Sequence, residues 1–306
     1  MTAPPTSRFT LENILSAKAG KGWLALPLLS CLTQYEALPL RAASRACRKA
    51  VEVHAWGQEP WDTSIILGSL TSWRHCFPRA SHACMSNNKT VTDADMVLLR
   101  RGMRSLQVSR CNITDAGLAH VRGIHTLNMS HCEQVTDVGL EHHRGIHELI
   151  IFYCPRITDG GLAYLGGIHT LDVRRCQAIT DAGLAHLTGI HTLDVSNCSR
   201  ITDAGLAHLP GIHTLNVSGC SLITDAGLAH LSGIHTLNMD YCGKVTDAGL
   251  VHLSGIHTLC MSDCDKITDA GLAHLTGIRK LFAYLCRGIT DADLDQLRVG
   301  GAEIRP

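Results

Sequence analysis

Aromatic side chains make up only 4% of this 306-residue chain, so the few that occur within its repetitive part are informative. Charge of one sign is equally lacking: Lys plus Arg and Asp plus Glu are both 27. That balance removes the long-range attraction expected toward nucleic acid or an anionic membrane. No apolar run reaches the roughly 20 residues needed to span a bilayer. CxxC, GxGxxG, P-loop, HExxH and GxSxG motifs are all absent, so the expectation is a non-enzyme with no cofactor and no metal. The apolar run from Trp23 to Leu32 follows Lys18 and Lys21 and has the length of a signal-peptide core. Glu12 in its flank, Pro27 at its centre and the lack of a small-residue cleavage site argue against export. The glycosylation sequons at Asn88, Asn112, Asn128, Asn197 and Asn216 would count only in a secreted protein. A cytoplasmic or nuclear location is expected.

What the chain has in abundance is one sentence repeated. Asp93, Asp115, Asp137, Asp159, Asp181, Asp203, Asp225, Asp247, Asp269 and Asp291 follow one another at intervals of 22 residues. A fixed period of this size marks a solenoid of stacked units. In the unit Ile179 to Arg200, the residues Ile190, Leu193, Val195 and Cys198, with Ile201 opening the next unit, match the leucine-rich repeat template, with Cys in its Asn-or-Cys position. Leu193 and Val195 should point into the core of a short strand, and Thr192, Asp194 and Ser196 into solvent. A helix is expected over Ala182 to Leu187. Asp181 should accept from the free N–H groups of that turn, and Gly189 should stop it in the left-handed conformation. Neither element can bury its apolar side alone, so each repeat stacks on the next. The fold class is α/β: a right-handed leucine-rich repeat solenoid, with a parallel sheet on the concave face and short helices on the convex face.

Nine of the 14 cysteines (Cys111, Cys132, Cys154, Cys176, Cys198, Cys220, Cys242, Cys264 and Cys286) hold one position in the repeat. A column of that kind reads as small buried hydrophobes, not disulfides or metal ligands. Histidines form two further columns. Seven, from His125 to His257, precede the strands and seven, from His120 to His274, lie on the helices. Neighbours in a column should stand one strand spacing apart, ~5 Å, which is periodic packing and not the convergent geometry of a zinc site.

The two ends differ from the array. Residues 1–79 lack the signature and form an N-terminal helical region; residues 80–306 form the solenoid with its C-terminal cap. Ala80, Ala83, Met85, Asn88 and Val91 give the template once in weakened form. Asp293, Asp295, Gln296 and Arg298 make the last helix polar enough to close the stack, and the final residues GGAEIRP are expected to add no strand. From Trp23 to Val51 the Leu-rich spacing, followed by Leu40-x-x-x-Ser44-x-x-Cys47-Arg48, resembles a degenerate F-box. That module docks substrate receptors onto the adaptor of an SCF-type cullin-RING ubiquitin ligase. Pro27 within the first helix and the long spacing from Leu32 to Leu40 depart from its usual pattern. The resemblance implies that Leu28, Leu29, Leu32 and Leu40 face the adaptor. The same segment would also serve as the cap that every such array requires. The array itself resembles the cysteine-containing leucine-rich repeats found behind F-boxes.

Departures from the unit at outward strand positions mark a contact surface. Glu148, Ile150, Phe152 and Tyr153 stand where the unit has small polar residues, as do Arg174 and Arg175, Asp240 and Tyr241, and Lys280, Phe282 and Tyr284. Aromatic and Arg residues are the usual anchors of interfaces. The expected partner is a protein on the concave face, and the resemblance adds the ligase adaptor at the N-terminal helices. The chain then acts as the substrate-recognition subunit of the ligase, or alternatively as a binding scaffold with no ubiquitin role.

Overall fold

The computed structural model describes Leu70, residues 80–100 and residues 102–305. Leu28, Leu29, Leu32 and Leu40 lie outside the described residues, as does the rest of the segment that resembles an F-box. The chain divides into two compact units, Met1–Cys84 and Met85–Pro306.

Among the described residues, eleven three-residue strands follow one another in chain order through one open sheet. They are β1 His82–Cys84, β2 Ser105–Gln107, β3 Thr126–Asn128, β4 Glu148–Ile150, β5 Thr170–Asp172, β6 Thr192–Asp194, β7 Thr214–Asn216, β8 Thr236–Asn238, β9 Thr258–Cys260, β10 Lys280–Phe282 and β11 Glu303–Arg305. From β2 to β11 every pairing is parallel and in step, Leu opposite Leu from Leu106 to Leu281. A helix follows each strand from β1 to β10, as in Asp181–Leu184 after β5 and Asp203–Leu206 after β6. The sequence is thus a leucine-rich repeat solenoid with 22 residues to the turn.

The core is the set of columns predicted from periodicity. Leu184, Leu187, Val195, Cys198 and Ile201 are all fully buried, and Ile190 and Leu193 nearly so. Each buried thiol also donates to a carbonyl of the preceding repeat, Cys198 Sγ to Val173 O at 3.3 Å for instance. Gly189 takes φ +81°, the left-handed corner that ends the helical turn.

Three expectations need correction. Asp181 does not cap its own helix: Thr180, in extended conformation, does so by accepting from Ala182 N at 3.3 Å. Asp181 instead reaches into the next repeat, its Oδ1 accepting from Thr202 N at 2.8 Å and its Oδ2 from Thr202 Oγ1 at 2.6 Å. The same pair joins Asp137 to Thr158 and recurs through the array. From Gly117 to Gly271, the Gly two residues after the Asp of one repeat makes room for the Asp carboxylate of the repeat before it. A Cβ on Gly161 would stand 2.5 Å from Asp137 Oδ1 and 2.9 Å from Leu140 Cδ1. Second, Ser196 is not turned to solvent; it is 4% exposed, and its N–H donates to Asp194 Oδ1 at 2.9 Å. Third, GGAEIRP does add a strand. The last helix runs Asp291–Val299, Gly301 breaks it at φ +91°, and β11 pairs with β10 through Lys280–Glu303, Leu281–Ile304 and Phe282–Arg305.

Candidate protein-interaction surface

The outward face of the sheet is small and polar over most of its length, because Thr and Asp or Asn recur at the first and third residue from the strand start, followed at the fifth by Ser that is half-buried at Ser109, Ser218 and Ser262 and buried at Ser130 and Ser196. One residue further on, the chain turns the corner toward Cys in the left-handed conformation. Non-glycine residues occupy that corner in most repeats: Arg110 at φ +59°, His131 at +57°, Tyr153 at +55°, Arg175 at +57° and Tyr241 at +62°. Bulky residues are uncommon in this region and incur strain there. Gly219 alone among them relieves it.

The predicted residues of the first half converge on Phe152. Its ring is half-buried, with the Arg174 guanidinium carbon 5.2 Å and the Arg175 guanidinium carbon 5.8 Å from its centroid. His131 meets Phe152 edge-on at 4.8 Å, and Tyr153 lies 5.2 Å from His131. Arg174 is held in place by Asp172 at 2.7 Å and Asp194 at 3.6 Å, and the hydrogen bond to Asp172 raises its already high pKa. Burial raises the Asp194 carboxyl, while its hydrogen bonds to Ser196 pull the other way. Arg175 and Arg110 form no ion pair among the described residues. Desolvation and then the nearby Arg110 charge lower the His131 pKa. Glu148 and Ile150 are half-buried beside this cluster, Glu148 Oε2 accepting from Thr126 Oγ1 at 3.4 Å.

The second half is less coherent. Asp240 serves the frame, accepting from Ser262 N at 2.7 Å. Tyr241 is 61% exposed. Lys280 pairs with Glu303 at 3.6 Å, and Arg305 covers Phe282 at 5.5 Å, so β11 engages both predicted contacts. Tyr284 and its neighbour Leu285 remain exposed, at 44% and 72%. His131, Arg110 and Leu285 belong to the same surface and escaped sequence reasoning; the signal for them was the corner column, counted one residue before each Cys.

On the strand-start side the histidines of the first column stack, His169 on His191 at 4.6 Å and His191 on His213 at 4.5 Å. Their Nδ1 atoms lie 3.1 Å from the Thr hydroxyl that follows. Among the described residues the helix histidines show no such ring contact, and no group of three or more His, Cys, Asp or Glu converges on a point. No helix there is long and apolar enough to cross a membrane.

A leucine-rich repeat family profile matches residues 103–119, 124–141, 168–187 and 210–232. No curated protein matches the chain. Among solved structures, a chain of the Rad7 and Elc1 complex in yeast is similar with a TM-score of 0.60 at 13% identity, over 91% of this chain and 89% of its own. An internalin, InlF of Listeria monocytogenes, is similar with a TM-score of 0.51 at 20% identity, over 74% and 73%. At these identities the likeness is one of fold.

Proposed function

We propose that the chain is a protein-binding scaffold, and that it serves as the substrate-recognition subunit of an SCF-type cullin-RING ubiquitin ligase. The observation that carries the binding role is the Phe152 cluster. A face otherwise built of small polar residues concentrates two aromatic rings and three arginines at one place, at the expense of left-handed strain at Tyr153 and Arg175. The protein performs no chemistry in this reading; it raises the local concentration of a bound protein beside a ligase, which is tethering.

The ligase role rests on the F-box resemblance of Trp23 to Val51 and is supported by the likeness to a chain of a two-protein complex, Rad7 with Elc1. Two measurements separate its parts. The full-length protein should co-purify with a cullin-RING adaptor and lose it when Leu28 and Leu32 are both changed to Asp. Retention of no adaptor would leave a binding scaffold without a ubiquitin role. Replacing Phe152 and Arg174 by Ala should leave the circular dichroism of the sheet intact and abolish substrate capture, and unaltered capture would remove this surface from consideration.

A further inference from the structure

The histidine column is longer than seven rings. Its backbone carbonyls chain the residues in register: His125 N donates to Arg104 O at 2.9 Å, each later histidine to the one before, and Arg279 N to His257 O at 3.0 Å. The stripe is therefore Arg104, seven histidines and Arg279, and every member can carry positive charge. Both arginines and six of the histidines are exposed, and His257 is half-buried. Six ring-to-ring steps of 4.4–4.6 Å set its histidine part, about the length of eight residues of extended chain at ~3.3 Å each.

Acids near it are few. The first strand position beside the stripe holds Glu148, otherwise hydroxyls, and Lys280, which is paired with Glu303. The turn position three residues ahead of the histidines holds Arg122 and Arg144 and no acid. Asp172 and Asp194, two residues further along their strands, are engaged by Arg174. In six of the seven rings, all but His147, Nδ1 sits against a Thr hydroxyl, which leaves Nε2 as the outward nitrogen.

We propose that this stripe is a proton-coupled binding site for an extended acidic polypeptide segment. A single metal ion needs nitrogens converging at about 2 Å from one centre, and rings stacked in parallel hold their Nε2 atoms apart. Protonated, each rung presents one N–H donor, and the two oxygens of a carboxylate can accept from two adjacent rungs. Arg104 and Arg279 fix the ends. Free histidine titrates near pH 6.5, and each charge placed in the stack hinders the next. Bound carboxylates relieve that repulsion, so binding takes up protons and tightens as pH falls. The desolvation and neighbouring rings that lower His191 in the free protein act in the same sense.

The test uses the full-length protein and a fluorescent peptide of a dozen glutamates, read by anisotropy at fixed low salt. Affinity should rise ten-fold or more between pH 7.5 and 5.5, the linkage for net uptake of about one proton over one pH unit. Changing His169, His191, His213 and His235 together to Gln should leave that gain below two-fold. If this variant does not fold, Arg104→Gln with His125→Gln, at one end of the stripe, should weaken binding at pH 5.5 at least three-fold. Equal affinity at the two pH values, or a gain that survives the substitutions, overturns the proposal. So does tighter binding of inorganic polyphosphate or heparin than of polyglutamate at pH 5.5, which would make the ligand class wrong.

Discussion

His143 stands in the column that Leu165, Leu187, Leu209, Leu231, Leu253 and Leu275 occupy elsewhere. It is 2% exposed, and neither ring nitrogen has a hydrogen-bond partner. A buried polar group left unpaired costs about 1–3 kcal/mol. Leucine is close in volume and restores the column, so His143→Leu should stabilise the protein by about that amount at pH 7.5. Burial first, then the charges of His142 and Arg122, lower the His143 pKa to about 4.

The sign of the pH effect follows. Below the unfolded value of about 6.5 the unfolded chain binds a proton at this residue and the folded chain does not, so stability is lost as pH falls from about 6.5 to about 4. The loss is about 1.4 kcal/mol at pH 5.5 and about 3 kcal/mol once pH is below the folded value. Urea unfolding followed by far-ultraviolet circular dichroism, at pH 7.5 and 5.5, reads both quantities. Every other titrating group is common to wild type and His143→Leu, so the difference between their pH dependences isolates this side chain. The gap between them should widen by about 1.4 kcal/mol at the lower pH. A variant no more stable than wild type at pH 7.5, or one with the same loss on acidification, would refute the reasoning.

Three further outcomes are expected. Gly161→Ala should destabilise by about 1–3 kcal/mol, the usual range for overpacking, because its Cβ meets the Asp137 carboxylate and Leu140; a neutral result in thermal melts would show that the carboxylate can move without loss. The column thiols should resist a thiol reagent at pH 8 in the folded protein and react on unfolding, since burial pushes Cys176 and Cys220 up to about 11 and Cys132 to about 12. Rapid labelling of any of the nine column cysteines, as distinct from Cys84 and Cys260, which are half-buried, and from Cys31, Cys47 and Cys76, which lie outside the described residues, would contradict the buried column. Tyr153→Gly should leave stability unchanged or raise it by up to about 1 kcal/mol, because left-handed backbone costs a non-glycine residue about 1–2 kcal/mol and glycine returns part of that as chain entropy. The same variant should bind the protein partner less well, and unchanged binding would separate Tyr153 from the Phe152 surface.

Elements whose cause is local were legible in the sequence. Leu193 and Val195 alternate with polar residues over a stretch too short for anything but a strand, and Gly189 ends its turn by a property of its own backbone. Asp181 was misassigned because an acid at the start of a helix has a sound local role; its actual partner, Thr202, is 21 residues away and becomes a neighbour only when the repeats stack. Strand β11 was missed because Lys280 and Glu303 are 23 residues apart, one more than the period, with Gly300 and Gly301 just ahead of the strand. Phe152 and Arg174 were found as departures from the unit, and the corner residues Tyr153 and Arg175 beside them with them, whereas His131 and Arg110 follow strands that keep polar residues and so were not.

That division has a mechanical consequence. The Asp–Thr pairs, the glycine that admits them, the leucines and the thiols that hold one repeat to the next all lie off the outward sheet face and off the corner. In a solenoid, stability is close to a sum over repeats and their nearest-neighbour interfaces. Outward and corner residues therefore contribute little to that sum, and a change such as Ser to Phe at position 152 alters what the surface can hold while leaving the frame in register. A closed globule gives far fewer positions that freedom, because most of its large aromatic residues are also core. Here, apart from His143 and a few alanines near the two ends, the core is Leu, Ile, Val, Met and Cys throughout the described array, and the Phe and Tyr rings stand outside it. Their position is what marks them as contacts and not as packing.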